Sequence, residues 1–188
     1  MSQPQPLISI VTPTYNEAEN LPILIERLHA ALGELPHEII IADDNSPDGT
    51  WRIGEALALD DPTVRVMRRF HDPGLSASVL DGLSSARGEV LVVIDADLQH
   101  DTGVLPEMLS HVLSKQVDVC VVSRSTAGGG YGDWSLSRRL VSWVATFIAK
   151  VLLRVSVSDP MSGYFVVSRE AYEQTAPFIN PRGFKILL

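Results

Sequence analysis

The 188-residue chain contains a single cysteine, Cys120, which excludes a disulfide framework and fits a reducing compartment. Cys120 lies inside Val117-Asp118-Val119-Cys120-Val121-Val122, a setting that predicts a small core hydrophobe and not a nucleophile. Basic residues are scarce over most of the length: through residue 120 there are 7 Lys and Arg against 19 Asp and Glu, a balance of −12. So acidic a body argues against nucleic acid as a partner. The remainder has 8 basic against 4 acidic residues, a balance of +4, and favours an anion or an anionic surface. Gly-x-Gly-x-x-Gly after a strand and Gly-Lys-Ser/Thr are both absent, so neither a dinucleotide dehydrogenase nor a loop-type NTPase is supported. Met1 to Pro6 lacks the basic start and apolar stretch of a signal peptide, and secretion is not expected.

What is present suits one globular α/β domain over residues 1–188, since 45% of the residues are hydrophobic and 20% charged. Strands are expected at Leu7 to Thr12, Glu38 to Ala42, Val64 to Arg68, Val90 to Asp95 and Val117 to Ser123. Helices are expected between them, at Asn20 to Leu32, Gly49 to Leu59, Leu75 to Ala86 and Val104 to Lys115. That alternation predicts a mostly parallel, Rossmann-like sheet with helices on both faces. Three consecutive glycines at 128 to 130 mark a mobile loop over 125–133. Residues 134–154 then read as a helix that is apolar over most of its circumference, with Arg138 and Ser142 an i, i+4 pair on one face. Lys150 and Arg154 argue against a membrane span. A helix lying in a bilayer interface fits better, and an ordinary core helix or oligomer contact is the competing reading.

Asp95-Ala96-Asp97 carries the most chemistry. It closes the apolar run Val90-Leu91-Val92-Val93-Ile94, which has the pattern of a strand buried on both faces. Two carboxylates at such a place repel each other and resist desolvation unless a cation lies between them. A divalent metal that also holds a diphosphate answers this most simply, because hard cations take oxygens from one or two carboxylates and the rest from phosphate and water. Solvated loop acids are the alternative. In open α/β sheets, ligands bind beyond the carboxyl ends of the strands, so the segments that follow the strands should share one site. These are Pro13-Thr14-Tyr15-Asn16-Glu17, Asp43-Asp44-Asn45-Ser46-Pro47-Asp48-Gly49-Thr50 and Asp95-Ala96-Asp97. A ring and a carboxylate from the first, with an acid from the second, could hold a base and a ribose. Asp48 and Thr50 fit turn and helix-cap chemistry better. A metal-bound diphosphate without a phosphate loop points to a nucleotide sugar. His29, His37 and His111 read as surface residues, and His100 draws interest only from its place beside the acidic motif.

These motifs, with Asp95-Ala96-Asp97-Leu98-Gln99-His100, Asp159-Pro160-Met161-Ser162-Gly163-Tyr164-Phe165 and Asn180-Pro181-Arg182-Gly183-Phe184-Lys185, resemble those of family 2 glycosyltransferases. Within that family the dolichol-phosphate (polyprenol-phosphate) mannosyltransferases are the most similar. The resemblance implies a GT-A fold, GDP-mannose as donor, Mg2+ or Mn2+ as cofactor and a polyprenyl phosphate as acceptor. It places the protein on the cytoplasmic face of a membrane, as a peripheral protein. By the same resemblance Pro13, Tyr15, Glu17, Ala42 and Asp44 would contact the nucleotide, and Asp95, Ala96 and Asp97 would complete the donor site. Asp95, Asp97 and Gln99 would hold the metal. Arg124, Arg138 and Ser142 would receive the acceptor phosphate, and the catalytic residues would be Asp97, Arg124 and Arg138.

Members of the family usually continue past the point where this sequence ends, with a further basic motif and often transmembrane helices, so a C-terminal truncation and a missing anchoring segment or subunit are expected. Relatives often carry a basic residue before the Gly-Leu pair, where this chain has Asp72; Arg68 and Arg69 are the candidates to supply that charge. An acceptor phosphate is already largely ionised near neutral pH and needs no strong base. Direct displacement by it would invert the anomeric centre. Two other readings remain open: a UDP-sugar, such as UDP-glucose, as donor, or an inactive nucleotide-binding subunit.

Overall fold

Each apolar run in the first two thirds of the chain becomes a strand, and each amphipathic run after it becomes a helix. In chain order these are β1 (Ile8–Thr14), α1 (Leu21–Leu32), β2 (His37–Asp43), α2 (Thr50–Asp60), β3 (Val64–Arg68), α3 (Leu75–Ser85), β4 (Val90–Val93) and α4 (Leu105–Leu113). Short strands β5 (Val119–Val121) and β6 (Phe165–Ser168) and helix α5 (Arg169–Thr175) follow. This computed structural model describes residues 6–122 and 162–179. The expected 125–133 loop and 134–154 helix lie outside the described residues, as do Arg124, Arg138 and Ser142.

The six strands form one sheet in the order β3-β2-β1-β4-β6-β5. Strand β1 pairs in parallel with β2 and β4, and β3 extends the parallel set beyond β2. Strand β6 runs antiparallel between β4 and β5. Side chains alternate across this sheet with period two. Ile8, Ile10, Ile39, Ile41 and Val92 face one core with Leu21, Leu24 and Leu28 of α1 and Leu105 and Leu109 of α4. Val11, Ile40, Leu91 and Val93 face a second core with Val79 and Leu83 of α3 and Phe165 and Val167 of β6. On that second face Gly82 lets α3 lie against β1, because a Cβ there would overlap the Val11 side chain.

A buried ionic cluster ties the strands together at the opposite end from the site loops. Glu38, 1% exposed, accepts from Ser9 Oγ (2.6 Å), the Arg87 backbone N–H (2.7 Å), Arg87 Nη2 (2.8 Å) and Arg65 Nε (2.9 Å). Burial acts to raise the Glu38 pKa, and these donors outweigh it and hold the group below 4.5.

The structure departs from the sequence expectations in three places. Strand β6 and helix α5 fall where no element is expected, and β5 is shorter than the segment Val117 to Ser123. His29 and His37 are half-buried and not plain surface residues: His29 Nε2 lies 2.6 Å from Asp61 Oδ2, and His37 Nε2 lies 3.0 Å from His29 Nδ1. No described helix is long and apolar enough to cross a membrane.

Candidate active site

The loop after β1 is held in place by the loop after β2. Asp43, fully buried at the end of β2, accepts from Thr14 Oγ1 (2.9 Å), Ser46 Oγ (2.7 Å) and the Ser46 backbone N–H (2.8 Å). Ser46 Oγ in turn accepts from the Asn16 N–H at 3.1 Å. Asp48 Oδ1 accepts from the Thr50 N–H (3.0 Å) and hydroxyl (2.6 Å), and its Oδ2 accepts from the Ala18 N–H (3.1 Å). Thr50 Oγ1 accepts from the Glu17 N–H at 2.9 Å. The amides of Asn16, Glu17 and Ala18 are thus all bound by the second loop, which fixes the backbone that carries Tyr15 and Glu17. The expected structural role of Asp48 and Thr50 holds. Burial acts to raise the Asp48 pKa, and the bonds from Thr50 and Ala18 overcome it and hold the carboxyl below its ordinary value.

A cavity of about 490 Å³ opens at the carboxyl ends of the strands, lined by Pro13, Tyr15, Glu17, Asp44, Asp95, Ala96 and Asp97 among others. Pro73, Gly74 and Leu75, at the start of α3, form a further part of its wall. Seven of the eight residues expected at the donor therefore meet in one space. Ala42 does not line it: this residue is fully buried in the α3-side core, where its carbonyl accepts from Ser78 Oγ at 2.8 Å. Gln99 does not line it either. This residue is exposed, and its backbone N–H donates to Asp97 Oδ1 at 3.1 Å, after a left-handed turn at Leu98 (φ 59°).

Arg69 organises the wall at the start of α3. Only 5% of its side chain is exposed; it donates to Asp44 Oδ1, to Asp81 Oδ2 (2.7 Å) and to the Asp72 carbonyl (3.1 Å). Asp44 Oδ2 takes the Gly74 N–H at 2.7 Å, so the carboxylate is fixed from both sides. A carboxylate has about four lone-pair sites, which leaves some for a ligand. Of the two arginines suggested for the charge missing at Asp72, Arg69 is committed to these carboxylates and Arg68 turns to the aromatic rings of Trp51 and Phe70. No local motif marks Arg69, because its carboxylate partners lie 25 and 12 residues away in sequence.

Behind Asp95, Gly163 has no room for a side chain: a Cβ there would overlap the Asp95 carboxylate. His100 Nε2 lies 3.9 Å from Asp95 Oδ2, and its ring packs 5.3 Å from that of Tyr164, centroid to centroid. Tyr164 is fully buried, and burial pushes its phenol well above the ordinary value. The described lining thus carries four carboxylates, Glu17, Asp44, Asp95 and Asp97, and no Lys or Arg.

Residues 9–175 match the model of the family described as Glycosyl transferase family 2. The chain belongs to glycosyltransferase family 2. This family 2 chain is 39% identical over 183 residues to a dolichol-phosphate mannosyltransferase of Pyrococcus furiosus, covering 96% of its own length and 51% of the relative. It is 37% identical over 185 residues to the dolichol-phosphate mannosyltransferase of Saccharomyces cerevisiae, covering 96% and 68%. The chain therefore spans about half the length of the first relative. Among solved structures, glucosyl-3-phosphoglycerate synthase from Mycobacterium tuberculosis, crystallised with Mn2+, UDP-glucose and phosphoglyceric acid, superposes with a TM-score of 0.66. It shares 22% identity, and the match covers 88% of this family 2 chain and 57% of the synthase, which establishes the GT-A fold.

Proposed function

We propose that this chain transfers mannose from GDP-mannose to the phosphate of a polyprenol, and that it works at the cytoplasmic face of a membrane as a peripheral protein. The observation that carries the reading is the cavity whose described lining has four carboxylates and no Lys or Arg, Asp44 among them being ion-paired to Arg69 behind the wall. Such a space repels a bare diphosphate and accepts one that arrives with a divalent cation. Among the described residues no cluster of three or more His, Cys, Asp or Glu could hold a metal by itself. Two carboxylates with the remaining positions left to phosphate and water is the pattern suited to Mg2+ or Mn2+. Asp95 and Asp97 would hold the ion, with Gly163 leaving the space that Asp95 occupies. Bound there, the ion would act as a Lewis acid toward the departing diphosphate.

The protein's own part is then binding and orientation. Tyr15 and Pro13 flank the nucleotide, and Glu17 and Asp44 accept hydrogen bonds from its base and sugar. Arg69 holds Asp44 still and keeps the wall at Pro73-Gly74-Leu75 closed around it. A phosphate nucleophile with a second pKa near 6 needs no general base, which agrees with a site whose described acids all serve the donor. Arg124, Arg138 and Ser142 would orient that phosphate for direct displacement at the anomeric carbon, which inverts it. The names and the 37–39% identity of the mannosyltransferase relatives support the acceptor class and the sugar.

The test is calorimetric titration of GDP and UDP with Mn2+, together with transfer of radiolabelled mannose to added polyprenyl phosphate. GDP should bind more tightly, and labelled lipid should form. Asp97→Ala should abolish metal-dependent donor binding, while Arg138→Ala should spare it and impair transfer. Tighter UDP binding would overturn the mannose assignment, and equal loss of donor affinity in both variants would overturn the division of roles.

A further inference from the structure

Two arginines and two aromatic rings form a separate patch on the outer edge of the sheet, beside the cavity. The Arg68 guanidinium stacks 3.4 Å over the Trp51 ring and 4.9 Å from the Phe70 ring, and the Arg52 guanidinium lies 4.9 Å from the Trp51 ring. Arg68 Nε and Nη2 both donate to Asn45 Oδ1, at 2.8 and 2.6 Å. Neither Arg52 nor Arg68 has a carboxylate within ion-pair distance among the described residues. Phe70 is 64% exposed, although a ring of that size is ordinarily buried. Strand β3, which carries Arg68, is the outermost strand on this side.

We infer that Trp51, Arg52, Arg68 and Phe70 form a docking surface for anionic lipid headgroups, which sets the donor cavity at a fixed attitude to the membrane. An exposed phenylalanine and a half-buried tryptophan beside cations are residue types that settle at a membrane's headgroup level, the ring reaching toward the acyl boundary and the guanidinium toward phosphate. The charge around the patch makes the contact selective. With −12 over residues 1–120, most of this body repels an anionic surface, and the patch offers two arginines that no described carboxylate neutralises. Docking there brings the cavity with it, because Asn45 follows the cavity residue Asp44 and Phe70 lies three residues before Pro73. The inference rests on the proposed reading in one respect only, that the acceptor is a membrane lipid.

The experiment measures binding of the full chain to phosphatidylglycerol–phosphatidylcholine vesicles and to phosphatidylcholine vesicles. R52Q/R68Q should weaken binding to the anionic vesicles by about fivefold for each arginine at low salt, with binding to neutral vesicles unchanged. Phe70→Ala, at an exposed position, should weaken it with no change in melting temperature. In W134F/W143F, which leaves Trp51 as the sole tryptophan, brominated anionic lipid should quench the emission. Unchanged anionic-vesicle binding in both patch variants, or no quenching of Trp51, overturns the inference. So does a loss of GDP affinity without loss of vesicle binding, which would assign the patch to the donor. Lipid-linked mannose formed by a chain whose patch fails these tests would leave the proposed activity standing. Quenching by a chain that forms no lipid-linked sugar would leave the docking surface standing and remove the activity.

Discussion

Asp95 owes its position to a residue with no side chain. Gly163→Ala would place a methyl group where the Asp95 carboxylate sits, and Asp95 would have to leave its present position. Mn2+ affinity in the presence of GDP should then fall about 10- to 100-fold, the usual effect of disturbing a group that supports a metal ligand. Calorimetry reads the affinity, and a far-UV spectrum like the parent's would show that the fold is kept. The acids of the candidate site were legible in the sequence because carboxylates that end an apolar strand sit where ligands of open α/β sheets bind. The roles of Arg69, named only as a candidate for a missing charge, and of Gly163, quoted only within a motif, were not. Each acts through a partner distant in sequence, Asp44 for one and Asp95 for the other, and nothing local to either residue announces it. Ala42 shows the converse: the family resemblance suggested a nucleotide contact, while its position on the strand sends it into the core under α3.

At the scale of elements, the close seat of α3 on β1 depends on Gly82. Gly82→Ala adds about 1 kcal/mol of helix propensity, but overpacking costs about 1–3 kcal/mol, and the neighbour it meets is a β-branched valine with little freedom to move. Net destabilisation of up to about 2 kcal/mol is expected in urea unfolding. The Glu38 cluster supports the other end of the sheet. Glu38→Gln should cost about 2 kcal/mol at neutral pH, since it weakens several charge-assisted bonds at a buried site. Because the folded carboxyl titrates below 4.5, its contribution is full above that value and is lost as pH falls through the lower, folded value. The stability gap between parent and Glu38→Gln should therefore narrow as pH falls below about 4.5, as denaturation midpoints taken across that range would show. The parallel strands were readable from their continuous apolar runs. Strand β6 was not, because four residues, Phe165–Ser168, carry too little pattern and its antiparallel partners, β4 and β5, are set only by the folded sheet.

For the molecule as a whole, donor and metal should act as one stabilising ligand. At GDP and Mn2+ near 100 times the dissociation constant, linkage adds about 2.7 kcal/mol, which for a chain of this size raises Tm by about 5–10 °C. A chelator should cancel most of that rise, and GDP alone should produce little of it; thermal melts with each addition check this. The division between the two ends of the sheet carries a practical consequence. The fastening at Ser9, Glu38, Arg65 and Arg87 shares no residue with the loops at 13–17, 43–50 and 70–75. Those loops are accordingly the natural place to alter the proposed donor preference, by transplanting short segments onto a frame whose integrity is secured elsewhere.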